Sequence, residues 1–148
     1  AVAKLEPAAV VIAADTLVVL DGTVLGKPND RKEAAAMLTA LSGREHEVIT
    51  GFAVRQGSDR EVYDYALTQV IFRRITSAEI AAYLATGEAD DKAGAYGIQG
   101  KAAVFVERIA GCYFNVVGLP VSALARVLTD FGVRLWWERT AHEGGGDR

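Results

Sequence analysis

A carboxylate and a hydroxyl follow directly on an apolar run near the start of this sequence. The run Val10-Val11-Ile12-Ala13-Ala14 leads into Asp15 and Thr16. Small and β-branched apolar residues in succession predict a strand covered on both faces, and the reacting groups of α/β folds lie where such strands end. Asp15 is therefore the first candidate for chemistry. The alternative is that it only accepts backbone hydrogen bonds in a turn.

Two lysines stand in segments that suit a bound anion. Lys27 lies between a glycine, which lets backbone approach a ligand, and a proline, which stops the strand. Lys92 precedes the glycine-rich segment 93–100, which contains Gln99. Exposed backbone N–H groups, a cation and an amide together are typical of a loop that holds a charged, hydrogen-bonding ligand. A solvated lysine and a plain flexible loop are the alternatives, and the segment matches neither a P-loop nor a dinucleotide fingerprint.

Composition narrows the class of protein. A chain of 148 residues, 51% hydrophobic and 24% charged, predicts one globular domain with a real core. No apolar run approaches the roughly 18 residues of a membrane span and no leader pattern opens the sequence, so we expect a cytoplasmic protein without a membrane partner. The single Cys112 and the lack of zinc spacing argue against disulfide and zinc chemistry. A formal charge of -3 gives no basic stripe, so a small ligand fits better than a nucleic acid polymer.

Local signals predict the elements that carry these residues. The pair Asp21-Gly22 between apolar runs predicts a hairpin, whose return arm leads to Lys27. Asp30 as an N-cap with Glu33 three positions later predicts a helix that ends at Gly43. Its expected buried face consists of Ala34, Met37, Leu38 and Leu41.

Further strands are predicted at 48–54, 63–72 and 102–108, with a capping box at Thr76 and Glu79 that opens a second helix. A final helix follows Pro120, and its expected buried stripe is Val121, Leu124, Ala125 and Leu128. We interpret His46 as structural or solvated and Cys112 as a packing residue. Asn115 is expected to order a loop, with ligand contact as the alternative.

Four segments resemble the Maf family of nucleoside triphosphate pyrophosphatases, in order and with compatible spacing. They are Ala14-Asp15-Thr16, Gly26-Lys27-Pro28, residues 91–100 and residues 115–120. The resemblance runs from about residue 11 to residue 131 and implies an α/β fold. We expect a mixed twisted sheet with flanking helices and two lobes around a nucleotide cleft. The expected domain is 1–133, followed by a partly disordered tail at 134–148.

The resemblance also implies an activity, the hydrolysis of dTTP and UTP, and of modified pyrimidine nucleotides, to the monophosphate and pyrophosphate. Asp15 resembles the proton acceptor for the attacking water, and Lys27 and Lys92 resemble phosphate-binding residues. Thr16 and Gln99 resemble residues that select the base, since an amide can pair with the edge of uracil or thymine. Mg²⁺ or Mn²⁺ is the implied cofactor, a nucleoside triphosphate the implied partner, and a homodimer a compatible assembly.

The start of the sequence departs from the family pattern. Members normally open with a Ser-x-Ser-Pro-Arg-Arg segment that supplies phosphate-binding arginines, and no such segment precedes Val10. Lys4 is expected to be solvated. Since no initiator Met is present, we expect either a piece of a longer chain or an unusually short protein. Activity is then expected to be weak, absent or completed by another chain, and the alternative function is a nucleotide-binding regulator of septum formation without turnover.

Overall fold

The protein, described over residues 8–140 in a computed structural model, is built on a five-stranded sheet with strand order β2-β1-β3-β4-β5. Its strands are β1 Val10–Leu20, β2 Thr23–Leu25, β3 Glu45–Gln56, β4 Arg60–Phe72 and β5 Val106–Ala110. The helices are α1 Arg31–Leu41, α2 Ser77–Leu84, α3 Tyr113–Val117, α4 Val121–Asp130 and α5 Trp136–Thr140, with 3₁₀ helices at Ala93–Ala95 and Lys101–Phe105. The predicted α/β class with flanking helices is confirmed. Within the described residues all strand pairings are antiparallel, where a mixed sheet was expected.

Strand β1 does not end at Asp15, and this prediction was wrong. The strand runs for 11 residues through Asp15 to Leu20, with Asp15 paired to Gly51 and Thr16 to Thr50. Its centre is also exposed rather than covered on both faces. Because β3 supplies a ladder partner along almost the whole strand, a single carboxylate does not interrupt the pairing; tertiary context overrides the local signal.

The local turn and cap predictions are confirmed. Asp21 and Gly22 have φ angles of 49° and 76°, as a type I′ hairpin requires, and β2 pairs antiparallel with the end of β1. The Asp30 side chain accepts from Glu33 N at the start of α1, and α2 opens with the predicted capping box. The predicted buried face of α1 is confirmed at all its positions, which are Ala34, Met37, Leu38 and Leu41.

In the second half of the chain, two predictions were right only in part and one helix was not predicted. Residues 101–105 form a 3₁₀ helix, so β5 begins only at Val106. The short helix α3 was not predicted. In α4 the predicted Leu124 and Leu128 pack on the core together with Ala123 and Val127, whereas Val121 is 48% exposed and Ala125 is not part of that core. Both the predicted and the observed buried stripe of α4 fit the helical period. The observed stripe is the one that packs against Phe52 and Val54 of β3.

Two hydrophobic cores lie on one face of the sheet. Since side chains alternate along a strand, Val48, Thr50, Phe52 and Val54 of β3 share that face. Val48 belongs to the larger core, which includes α1 and α2, and Phe52 and Val54 belong to the smaller core under α4. Within the described residues, Thr50 lies between these two cores, and the arrangement of two lobes around a cleft stays a prediction.

Some expectations concern residues outside the described range, namely Lys4 and the part of the 134–148 tail at 141–148. The tail boundary itself stays a prediction. None of the helices in the described part of the chain has the length and apolar content needed to cross a membrane.

Candidate active site

One cavity brings together all the residues that the sequence singles out. Its volume is about 450 Å³, within the range of small-molecule sites. It contains, in chain order, Asp15, Thr16, Lys27, Lys92 and Gln99. Two further carboxylates and an apolar wall complete the lining, and these residues are Glu88, Asp91, Val18, Val48, Tyr96, Ile98 and Val116. The five candidate residues come from three separate segments, and Val48 and Val116 from two others, so distant parts of the chain meet around one space beside β1.

Asp15 lies in the middle of β1 with its carboxylate exposed. Its Oδ1 accepts from Thr16 N at 2.9 Å. Asp15 also borders a second cavity of about 430 Å³, which includes Gly51 and Asp64. A Cβ on Gly51, the residue paired with Asp15, would meet nothing within 4 Å. Asp15 is thus an exposed residue that borders both cavities.

Thr16 is held through its hydroxyl. Thr16 Oγ1 lies 2.9 Å from Thr50 Oγ1, and the buried Thr50 hydroxyl donates to the carbonyl of Asn115 at 3.0 Å. Thr50 was missed by the sequence reasoning. The available signal was a hydroxyl at a position of β3 whose neighbours on the same face, Val48 and Phe52, are apolar.

Asn115 connects α3 to the sheet. Its Nδ2 donates to Val48 O at 3.1 Å and to Thr68 Oγ1 at 2.8 Å. Thr68 also donates to Cys112 O and accepts from Cys112 N, at 3.2 and 3.0 Å. Asn115 is fully buried and does not line the cavity. These bonds support the structural interpretation of Asn115 over direct ligand contact.

The segment that carries Lys92 and Gln99 is fixed by a close backbone approach. Gly94, with φ 68°, donates from its N–H to Gly26 O at 3.1 Å, which ties this segment to the turn that carries Lys27. A Cβ on Gly94 would lie 2.9 Å from Val18 Cγ1. A left-handed φ and a neighbour this close both favour glycine.

Buried side chains anchor the same segment to the sheet. Tyr96 and Ile98 are buried, and the Tyr96 hydroxyl forms a hydrogen bond of 2.7 Å with His46 Nε2. Burial lowers the pKa of His46 to about 4, so the ring is neutral at pH 7, and burial raises the pKa of Tyr96. His46 Nδ1 has no hydrogen-bond partner among residues 8–140. The structural interpretation of His46 therefore agrees with its surroundings.

Charged groups gather at one side of the cavity. Lys92 Nζ lies 2.9 Å from Asp91 Oδ1. The hydrogen bond from Lys92, then its charge, and more weakly the charge of Lys27 lower the pKa of Asp91. Both ammonium groups thus act on a common carboxylate, and both side chains are exposed. A polyanion at this position would meet two cations at once.

Glu88 supports the segment after Gln99. Its Oε2 accepts from Lys101 N at 2.9 Å. A Cβ on Gly100 would overlap this carboxylate. The glycine therefore lets the chain turn tightly over Glu88, directly beside Gln99.

The donor set fits a cation that arrives with its substrate. Across the described part of the chain, no group of three or more His, Cys, Asp or Glu side chains is placed to hold a metal ion alone. The cavity does offer carboxylates from Asp15, Glu88 and Asp91. Mg²⁺ is commonly bound by one or two carboxylates together with water and substrate phosphates, so these residues suit a metal–triphosphate complex.

Comparisons with known proteins agree on one family. A family model described as Maf-like protein matches residues 1–131. The dTTP/UTP pyrophosphatase of Bacillus pumilus is 54% identical over 130 residues, which cover 88% of this chain and 68% of that protein. The dTTP/UTP pyrophosphatase of Clostridium botulinum strain Hall is 54% identical over 126 residues, 84% of this chain and 65% of that protein. The dTTP/UTP pyrophosphatase of Clostridium acetobutylicum is 51% identical over 133 residues, which cover 89% of this chain and 67% of that protein. The chain thus spans about two thirds of the length of these relatives.

Proposed function

The chain belongs to the Maf-like protein family, and from this premise we propose that it hydrolyses the nucleoside triphosphates dTTP and UTP to the monophosphate and pyrophosphate. The relatives named dTTP/UTP pyrophosphatase support this substrate class. The observation that carries the proposal is the single cavity, whose lining includes the acidic Asp15, the two lysines Lys27 and Lys92, and the polar Thr16 and Gln99.

The proposed reaction begins with Asp15. Its exposed carboxylate takes a proton from a water molecule as the water oxygen bonds to the α-phosphorus; the bond from that phosphorus to the α–β bridging oxygen breaks, and pyrophosphate leaves with that oxygen. Lys27 and Lys92 offset the negative charge on the phosphate oxygens, which grows in the transition state. In the free protein Lys92 is paired with Asp91, so triphosphate binding exchanges that exposed ion pair for phosphate contacts.

We propose Mg²⁺ or Mn²⁺ as the cofactor, held by Asp15 and Asp91 together with the triphosphate. The ion would neutralise phosphate charge and polarise the phosphorus for attack. The proposal places the protein in the cytoplasm, where a nucleoside triphosphate substrate is found.

Base selection is assigned to Gln99 and Thr16. An amide offers a donor and an acceptor together, and uracil and thymine present both on their pairing edge. Sites that hydrogen-bond a substrate N–H or O–H discriminate far better than an apolar pocket does. The exposed Gln99 and the half-buried Thr16 line the same cavity, which supports this assignment.

A nucleotide panel tests the proposal. The protein is incubated with dTTP, UTP, dCTP, CTP, dATP and GTP in the presence of Mg²⁺ or Mn²⁺, and pyrophosphate release is measured. We expect dTTP and UTP to react fastest. The control is Asp15→Asn, purified in the same way, which shows that the release belongs to this chain.

Other results of the panel have distinct meanings. Preference for a purine triphosphate would contradict the roles of Gln99 and Thr16. Binding of dTTP without pyrophosphate release would favour the alternative, a nucleotide-binding protein without turnover.

A further inference from the structure

We propose that Thr50 is a positioning residue that fixes the proton of the Thr16 hydroxyl, so that Thr16 presents only acceptor lone pairs to the base and disfavours cytosine. The inference rests on the proposed function, because it requires Thr16 to face the base. It assigns the discrimination between uracil or thymine and cytosine to a residue that does not line the cavity.

The first step is the direction of the Thr50 hydroxyl. Thr50 is fully buried, and its Oγ1 lies 3.0 Å from the backbone carbonyl of Asn115. A carbonyl oxygen can only accept, and a hydroxyl has a single proton. Thr50 therefore donates to Asn115, and the remaining contact of Thr50, to Thr16 at 2.9 Å, must receive its proton from Thr16.

The second step is the rigidity of that carbonyl. The Asn115 amide uses both hydrogens, on Val48 O and Thr68 Oγ1, and Gly118 N donates to the same Asn115 carbonyl at 3.0 Å. The reverse direction of the hydroxyl chain would abandon the bond from Thr50 to Asn115 in a buried place. Because the reverse direction would lose a buried hydrogen bond, the direction from Thr16 to Thr50 to Asn115 is favoured.

The third step concerns the ligand. Once its proton is committed to Thr50, Thr16 can accept from a ligand but cannot donate to it. Uracil and thymine carry an N3–H donor, whereas cytosine has a lone pair at N3. The N3–H of uracil or thymine can donate to a Thr16 hydroxyl that only accepts. With cytosine, the lone pair at N3 would face a lone pair of the Thr16 oxygen. A mismatch of this kind corresponds to on the order of 10- to 100-fold in affinity.

The test measures binding without turnover. Isothermal titration calorimetry gives the affinities of the α,β-methylene analogues of UTP and CTP for the wild-type protein and for Thr50→Val. We expect the wild type to prefer the UTP analogue by 10-fold or more. In Thr50→Val the Thr16 hydroxyl can turn its proton toward the ligand, so we expect the ratio of affinities to fall by about 10-fold.

Thr50→Ser is the matched control. It keeps the hydroxyl and should keep the preference for the UTP analogue. If Thr50 had only a structural role, Thr50→Val would change both affinities by the same factor and leave their ratio unchanged. Thr50→Val is expected to fold because Gly118 N still satisfies the Asn115 carbonyl, and its thermal unfolding is measured alongside. An unchanged ratio in folded Thr50→Val would overturn the inference.

A second readout needs no nucleotide. Neutron diffraction from the perdeuterated protein locates the hydroxyl deuterium, which we expect on Thr16, directed at Thr50 Oγ1. A deuterium on Thr50 directed at Thr16 would overturn the inference. If the wild type binds neither analogue, the proposed function fails, and the neutron result still decides the direction of the hydroxyl chain.

Discussion

Two of the regions that line the cavity hold their candidate site residues in different ways. In the centre of β1, Asp15 is exposed and Thr16 half-buried, and the pairing with β3 fixes their positions. In the segment 92–100, the exposed Lys92 and Gln99 flank a stretch in which residues 94–96 and 98 are buried. Backbone hydrogen bonds to β3 hold β1 in position, whereas buried side chains hold the segment 92–100 against the rest of the protein.

This difference predicts where sensitivity to mutation lies. A side chain in the centre of β1 can change without disturbing the ladder, so substitution there should alter chemistry more than stability. The loop has no ladder of its own, so residues outside the cavity, such as His46 or Gly94, should control both its stability and its shape. Four predictions test this contrast.

The largest effect is expected at Asp15. Asp15→Asn keeps the shape and can still accept from Thr16 N, but it cannot take a proton from water. Removing a general base lowers the rate by about 10²- to 10⁴-fold, or roughly 3–5 kcal/mol in the barrier. Pyrophosphate release from dTTP measures the rate, and thermal unfolding should show an unchanged midpoint. A large loss of stability would contradict the expectation that substitutions in the centre of β1 alter chemistry more than stability. An unchanged rate would exclude Asp15 as the proton acceptor.

The second effect is expected at Gly94. Gly94→Ala would force a residue with a Cβ into φ 68° and bring that Cβ to 2.9 Å from Val18 Cγ1. Strain and overpacking together should lower the free energy of unfolding by about 2–4 kcal/mol, as measured by urea denaturation. The matched control is Gly22→Ala in the hairpin, where φ is 76° but a Cβ meets nothing within 4 Å. If both variants lost the same free energy of unfolding, the close approach of Gly94 to Val18 would not contribute to the stability of the segment 92–100.

The third effect is a pH dependence from His46. Its pKa in the folded protein is about 4, below the ordinary value of 6.5, because burial disfavours the charged ring. The unfolded chain therefore binds more protons between these values, and stability is full above pH 6.5 and is lost as the pH falls toward 4. The expected loss is about 2 kcal/mol between pH 7 and pH 5.

Urea denaturation of the wild type and of His46→Gln at both pH values isolates this effect. All other titrating groups are present in both proteins, so their contributions cancel in the difference in stability. The difference in stability between the two proteins should shrink as the pH falls. A constant difference would show that the anchor formed by His46 and Tyr96 does not respond to protonation.

Some of this architecture could be predicted from the sequence because it is local. The hairpin at Asp21-Gly22 and the capping box at Thr76 and Glu79 depend on residues within a few positions of one another. The segments predicted to form the site line one cavity, and their roles there stay predictions.

The rest depends on partners that are distant in the chain. Asp15 was expected to end a strand because nothing beside it indicated that β3 would pair across it. Thr50 was missed because its role requires the hydroxyl of Thr16 and the carbonyl of Asn115. Such contacts follow from strand register, which one sequence does not display.

The smallest effects should have opposite signs in the two regions. A Cβ on Gly51 meets open space, so Gly51→Ala should raise the free energy of unfolding by about 0.4–1 kcal/mol by restricting the unfolded chain. In the loop region, Gly100→Ala would displace the Glu88 carboxylate from Lys101 N and should lower it by about 1 kcal/mol. Urea denaturation of both variants gives the signs. If Gly51→Ala proved the more damaging, the space on β3 beside Asp15 would be packed, and the exposure of Asp15 to a ligand would have to be reconsidered.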